Sequence, residues 1–281
     1  MISIVLTHFN RSHLLNKTLH SLSYNKTKEF EVVIVDDGSV PQEKKELRDL
    51  VHQYTTKGIK FQLYFLSAKE KWYDNPCIPY NIGIRKAKGD KIIIQSAECV
   101  HVGKLLDYVE KNLKENEYFS FGCYSFDRNQ TEQLQKQPVS TPQDVLKIAN
   151  PPNNNAVTHC EQAGWYNHSR YRPLGYHWCN AYNTSDIKKI KMFDERYSKG
   201  IAYDDDEFAY RCNRDLDRVL VDSPMVIHQW HGLGNYYKQP NPVENQLKQD
   251  YNSSLLQKIT RQEHNNDNIE NELSKCVNIY E

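Results

Sequence analysis

The sequence predicts one α/β domain built on a central, mostly parallel sheet with helices on its faces, followed by a polar helical extension. Three observations carry this expectation. As far as Tyr124, short runs rich in Val and Ile alternate with stretches whose apolar residues recur at helical spacing, the pattern of strand–helix–strand units. At 281 residues the chain can bury one large core. Beyond Pro242 the composition turns polar, with only Leu247, Tyr251, Leu255 and Ile259 at fourfold spacing. The expected division is therefore a domain over 1–235 and a helical extension over 236–281.

Ile2 to Thr7 reads as the first strand. Leu14, Leu15, Thr18, Leu19 and Leu22 then share a helical face, with Asn10 or Ser12 as the N-cap. Phe30 to Asp36 is a second, buried strand; the turn Asp37-Gly38-Ser39 leads to a helix marked by Leu47, Leu50, Val51 and Tyr54, and Phe61 to Leu66 is a third strand. A loop holding Pro76 and Pro79 precedes a helix from Tyr80 to Ala87, and Gly89 suits a left-handed position past its end. Lys91 to Gln95 is the fourth strand. Leu105, Leu106, Val109 and Leu113 mark another helix, and Tyr118 to Tyr124 returns to the sheet. From Asp127 to His159, Gln, Asn, Pro and Thr dominate and Pro151-Pro152 breaks any period, so a long irregular excursion is expected. Next come an aromatic stretch containing the strand His177 to Tyr182, the acidic run Asp204-Asp205-Asp206-Glu207, and the strand pair Val219 to Asp222 and Met225 to His228. The last helix is expected to lay its four apolar residues on the domain or on a second copy, as in a homodimer.

Lys and Arg together number 36, as do Asp and Glu, so no global field draws the chain to nucleic acid or to an acidic membrane. The seven cysteines, Cys77, Cys99, Cys123, Cys160, Cys179, Cys212 and Cys276, are odd in number and form no CxxC, which speaks against a zinc knuckle and a disulfide framework. The apolar run after Met1 is too short for a signal peptide, and no stretch of about twenty apolar residues occurs. A cytoplasmic protein without a membrane span is expected.

In an open parallel sheet, ligands sit beyond the carboxyl ends of the strands. Four segments there are polar: Thr7-His8-Phe9-Asn10-Arg11, Asp36-Asp37-Gly38-Ser39, Ser96-Ala97-Glu98 and His228-Gln229-Trp230-His231. Each has a plain structural explanation, as a cap, a turn, a solvated charge or a core histidine. Their joint placement on one edge favours a site.

The ordered succession Ile-Val-Leu-Thr-His-Phe-Asn-Arg, Val-Val-Ile-Val-Asp-Asp-Gly-Ser and Asn81-Ile-Gly-Ile-Arg85, with Lys-Gly-Asp before a strand, resembles the family 2 glycosyltransferases of GT-A fold over roughly residues 1–235. The resemblance implies a single Rossmann-like domain that binds a nucleotide-sugar, UDP-linked in the first instance, and transfers the sugar to an acceptor hydroxyl with inversion. It implies that Thr7, Phe9, Asn10, Arg11, Asp36, Asp37, Asn81, Ser96 and Ala97 line the donor site. The family's Asp-x-Asp metal motif falls on Ser96-Ala97-Glu98, so its first carboxylate is a serine here. Glu98 is then the expected oxygen ligand for Mn²⁺ or Mg²⁺, with His228 or His231 as an imidazole ligand; the ion would stabilise negative charge on the departing diphosphate.

The run Asp204-Asp205-Asp206-Glu207-Phe208-Ala209-Tyr210-Arg211 is similar to the family's Glu-Asp-x-Asp-Leu-x-x-Arg helix start, and Phe193-Asp194-Glu195 precedes it as in the family. Acidic residues also suit a helix's first turn through the macrodipole. In the functional reading Asp205 is the general base that takes the acceptor proton, Asp204 orients the acceptor, and Arg211 pairs with these carboxylates. Trp165, Tyr166, Tyr171, Tyr176, His177 and Trp178 offer faces for stacking on sugar; Trp165 is the expected exposed member and Trp178 the expected core member. The acceptor is thus expected to be a glycan, a lipid-linked sugar or a protein hydroxyl, bound by Trp165, Trp178 and Arg211. Two other readings stand: an inactive nucleotide-sugar or glycan-binding module, suggested by Ser96, and a metal-dependent nucleotide-sugar hydrolase. A dehydrogenase and a nucleotidyltransferase are disfavoured, because neither a GxGxxG nor a Gly-rich phosphate loop follows the first strand.

Overall fold

The computed structural model describes residues 1–138, 141–149, 152–158, 162–232, 241–261, 269, 271–275, 277 and 279–280. Its first half runs β1 (Ile2–His8), α1 (Ser12–Ser21), β2 (Phe30–Asp36), α2 (Pro41–Thr55), β3 (Lys60–Leu66), α3 (Cys77–Lys86), β4 (Lys91–Ser96), β5 (Cys99–Val102), α4 (Leu105–Asn112) and β6 (Glu117–Ser125). There follow α5 (Arg128–Lys136), α6 (Pro142–Ala149), β7 (Gly164–Asn167), β8 (Cys179–Asn183), α7 (Thr184–Lys189), α8 (Asp204–Asp215), β9 (Asp217–His228), α9 (Pro242–Arg261) and β10 (Ile279–Tyr280).

The described strands form one sheet in the order β10-β3-β2-β1-β4-β8-β6-β9-β5, with β7 also paired to β6. β3, β2, β1 and β4 run parallel, whereas β8 is antiparallel to both β4 and β6. The sheet is therefore parallel in its N-terminal half and mixed beyond it. Along β1 the strand period of two sends Ile2, Ile4 and Leu6 into the core shared with α1 and α2, and Val5 into the opposite core with α3. With both faces covered, β1 and β2 read as near-continuous apolar runs, as parallel strands do. Each such side chain removed from water contributes about 1.5–3 kcal/mol before chain entropy is counted.

Several local expectations are corrected. The N-cap of α1 is Arg11, with no side-chain cap bond, because Asn10 takes a left-handed φ of 51° and Ser12 already opens the helix. Pro79 lies inside the first turn of α3, where a proline's missing N–H costs nothing. Gly89 is not left-handed; a Cβ there would stand 2.7 Å from the Ser3 nitrogen and 2.8 Å from the Met1 oxygen, so close backbone approach is what requires glycine. The stretch after Asp127 contains α5, closed by an Asp127/Gln130 capping box, and α6, both hidden by their polar composition; Pro151 and His159 lie outside the described residues. β5 was not expected at all, and the two late strands are one, β9.

The C-terminal helix packs differently from the expectation. Val243, Leu247 and Tyr251 are exposed, while Ile259 and the polar Asn252 are buried. The expected boundary at 235/236 falls outside the described residues. Cys77, Cys99, Cys123, Cys179 and Cys212 are free and buried; Cys160 and Cys276 are outside the described residues. No described helix is long and apolar enough to cross a membrane.

Candidate active site

The parallel register brings the ends of β1, β2 and β4 side by side, with Thr7 opposite Val35 and Ser96, and His8 opposite Asp36. Asp36 is wholly buried: it lies 2.8 Å from His8 Nδ1 and accepts the Ser39 N–H at 3.1 Å. It closes the turn and has no face toward a ligand, which corrects its assignment to the donor site. Asp37 turns the other way and accepts from Lys71 Nζ and Tyr73 Oη, each at 2.6 Å. Burial pushes its carboxyl up from the ordinary value, and Lys71 and Tyr73 offset part of that rise. Phe9 is exposed, with the Lys71 ammonium 5.6 Å from its ring centre. Asn10 joins the same turn, its N–H donating to Ser39 Oγ and its Oδ1 accepting from the Val40 N–H.

Glu98 occupies the short connection between β4 and β5. Because β5 pairs antiparallel with the end of β9, Cys99 opposite His228, the histidine is delivered beside it. Glu98 Oε1 lies 2.8 Å from Arg11 Nη1 and 3.3 Å from both His228 Nε2 and His231 Nε2. The three ligand atoms of Glu98, His228 and His231 all fall within 4.8 Å of one another. Burial alone would raise the Glu98 carboxyl, but Arg11 and the two imidazoles outweigh it and hold it well below the usual range. Burial lowers His231 to about 4, which leaves its ring neutral and its lone pair available. The His228 ring sits edge-on to Tyr166 and Trp178, and its buried Nδ1 has no hydrogen-bond partner among the described residues. Ala97 is buried and contributes its carbonyl to Thr18 Oγ1, so its side chain faces no ligand; half-buried Ser96 and Thr7 flank the Tyr80 hydroxyl.

The acidic run opens α8. Asp204 is buried and accepts from Asn75 Nδ2 at 2.7 Å, and Asp206 accepts from Tyr176 Oη at 2.6 Å. Burial first, then like charge, lifts the pair: Asp204 to about 6 with Asp206 beside it, and Asp205 to about 8 with Asp204 and Asp206 beside it, so the pair titrates near neutrality. The residues from Lys71 to Asn75 tie this segment to Asp37, since Tyr73 holds one carboxylate and Asn75 the other. Three expected ligands prove to be framework. Arg211 is buried and bidentate on Glu207, with its remaining nitrogen on the Ile190 carbonyl, so it touches none of Asp204 to Asp206. Asn81 spends its amide on Glu195 and on the Phe193 backbone, joining α3 to the segment before α8. Trp165 is buried against Tyr124, whereas Trp178 is the half-buried one, stacked on Tyr166, the reverse of the sequence expectation.

A surface depression of about 560 Å³ between α4 and Ser223-Pro224 lies apart from these carboxylates; another, of about 180 Å³, borders Lys71 and Tyr73.

This edge brings together a turn-borne aspartate, a Glu–His–His cluster and a helix that opens on carboxylates. The family model described as glycosyl transferase family 2 matches residues 3–178, and the chain belongs to that family. It is 26% identical over 280 residues to a chondroitin synthase of Pasteurella multocida, covering 93% of this chain but 27% of that protein. An uncharacterized glycosyltransferase of Haemophilus influenzae is 24% identical over 149 residues, 53% of this chain and 56% of its own. The chain thus spans about a quarter and about half of these two relatives. Among solved structures, S. aureus TarS 1-349 in complex with UDP-GlcNAc superposes with a TM-score of 0.56 at 14% identity, covering 96% of this chain and 76% of that one. The mannosyltransferase PcManGT of Pyrobaculum calidifontis, with GDP-Man and Mn²⁺, gives 0.53 at 12% identity over 92% of this chain and 75% of that one. GalNAc-T7 with UDP, GalNAc and Mn²⁺ gives 0.53 at 15%, over 86% of this chain and 45% of its own. These similarities establish the GT-A fold.

Lys71, Tyr73 and Asn75 escaped the sequence reading; they follow β3, a strand end to which the edge rule applies as well as to the other four. Tyr176, expected as a stacking face, instead donates its hydroxyl to Asp206.

Proposed function

We propose that the chain transfers a sugar from a UDP-sugar to a hydroxyl of a glycan, lipid-linked or protein acceptor, with inversion and with the help of Mn²⁺ or Mg²⁺. The observation that carries this reading is Glu98 set among Arg11, His228 and His231, on the sheet edge whose loop also holds Asp204. The TarS complex contains UDP-GlcNAc and the GalNAc-T7 complex UDP, GalNAc and Mn²⁺. One carboxylate and two imidazoles form an oxygen–nitrogen set suited to Mn²⁺, and all three converge without rearrangement. Bound there, the ion would supply Lewis-acid stabilisation of the departing diphosphate.

The chain's own residues supply the rest. Asp37 and Phe9 receive the nucleoside, with Lys71 neutralising the aspartate until the base arrives. Arg11 places a fixed positive charge beside the diphosphate. Asp205, half-buried and raised in pKa, takes the proton from the acceptor hydroxyl as it attacks from the face opposite the diphosphate. Asp204, fixed by Asn75, orients the acceptor.

The test is Asp205→Asn assayed for transfer and for UDP binding with and without Mn²⁺. Transfer should fall by about two orders of magnitude or more, the scale of lost acid–base catalysis, while UDP binding is kept. Undiminished transfer would remove Asp205 from its role, and donor cleavage in water at a rate indifferent to acceptors would make the protein a hydrolase.

A further inference from the structure

The two residues before the acidic helix, Ala202 and Tyr203, both adopt left-handed backbone angles, with φ of 60° and 66°. For residues with a Cβ this conformation is strained and persists only where the surroundings impose it. The imposing group comes from α9. Asn252, fully buried, donates its side-chain amide to the Ala202 carbonyl at 2.7 Å and to the Tyr197 carbonyl at 3.3 Å. Its Oδ1 faces Gly200 so closely that a Cβ on that glycine would collide with it. One turn earlier, the Lys248 carbonyl accepts the Ile201 N–H, and Lys248 Nζ pairs with Asp74 at 2.9 Å. Asp74 and Asn75 both donate backbone N–H groups to the Ser198 carbonyl, and Asn75 holds Asp204. Both arms that meet at the carboxylates therefore rest on α9.

We propose that α9 is a positioning element of the active site: Asn252 fixes the backbone of 197–203 so that Asp204 and Asp205 face the acceptor. α9 lies beyond residues 3–178, the span of the family match. This deepens the transferase reading and rests on Asp205 being the base. It also explains why the helix buries an asparagine and leaves Leu247 and Tyr251 outside: its contact is with carbonyls, which an apolar side chain would leave unsatisfied.

The experiment uses the full chain carrying Asn252→Ala, Gly200→Ala or both, with Asp205→Asn in parallel. Asn252→Ala should lower transfer kcat ten- to a hundredfold, the effect of about 1 Å of misplacement, with donor KM and UDP affinity within about twofold. Amide hydrogen exchange over 200–206 should quicken while the sheet stays protected. Gly200→Ala keeps the asparagine but pushes its amide aside, so it should reproduce the loss if Asn252→Ala does not fold. The double variant should be no worse than Asn252→Ala, because the new methyl enters the space the amide vacated. Wild-type kcat or unchanged exchange in folded Asn252→Ala overturns the proposal, as does a parallel loss of donor affinity. Full turnover by Asp205→Asn would instead overturn the base assignment, and the exchange data would still decide what Asn252 holds.

Discussion

Replacing Asp206 by Asn tests the electrostatics of the acid pair without touching either member. The Asp205 carboxyl is raised by burial, then by Asp204, then by Asp206. Asp206 is half-buried and shares its charge with the Tyr176 hydroxyl, so its repulsion is screened and is taken at about one pKa unit, ~1.4 kcal/mol. A base works deprotonated, so kcat falls about tenfold for each pH unit below the apparent pKa. Asp206→Asn should therefore move the acid limb of kcat about one unit lower. The rate on that limb should rise up to tenfold while the plateau stays, since the new amide's carbonyl oxygen can still accept from Tyr176. Initial rates at saturating donor and acceptor, at constant ionic strength, give the profile. Stability supplies a second check with its own sign. A carboxyl whose pKa is higher folded than unfolded contributes stability below the unfolded value, and this is lost as pH rises through the folded one. The wild type should thus lose thermal stability between about pH 4 and about 8, and Asp206→Asn should lose less. A limb that stays in place, or moves upward, refutes the reasoning.

Three further outcomes are expected. Glu98→Gln should abolish tight Mn²⁺ binding in a calorimetric titration and leave Arg11 without its counter-charge; unchanged Mn²⁺ affinity would dismiss the Glu–His–His cluster as a metal site. Glu207→Gln strands the buried Arg211 and should cost about 3–5 kcal/mol, lowering Tm by roughly 6–20 °C in calorimetry, with UDP affinity kept in the folded protein. Gly89→Ala forces a Cβ into the Met1 and Ser3 backbone and should lower Tm by several degrees, whereas Gly58→Ala, which meets no atom but carries a φ of 91°, should show only the milder cost of a left-handed alanine.

Much of the N-terminal half was legible because its physics is local. β2 was placed to the residue, since a continuous apolar run ending in Asp-Asp-Gly leaves little choice. Glu98, His228 and His231 follow strand ends in the sequence and were named as ligands by the family resemblance, and antiparallel pairing of the unforeseen β5 with β9 is what joins them. Sequence spacing does not say which member of a cluster a side chain meets. Arg211 does pair with the acidic run, but through Glu207 at i−4 and with the Ile190 carbonyl on its remaining nitrogen, not with Asp204 or Asp205. Trp165 and Trp178 were exchanged because β7, paired to the end of β6, turns Trp165 into the core around Tyr124, while Trp178, just before β8, stacks on Tyr166, and no periodicity reveals either contact. α9 was read by Leu247, Tyr251, Leu255 and Ile259, yet of these four Ile259 alone is buried, and what the helix offers to the segment 197–202 is the Asn252 amide.

The antiparallel meeting of β4 with β8 acts as a seam. On one side lie the first 98 residues, which carry nearly everything proposed for the nucleotide; on the other lies the segment from 162 onward, bearing the proposed base and the aromatic faces. His228 and His231 reach Glu98 from the end of β9, where it pairs with the edge strand β5. Substitutions that retune what receives the sugar can accumulate on the later side while the earlier strands keep one unchanged grip, so a lineage of such enzymes could diversify its products by rewriting half a sheet.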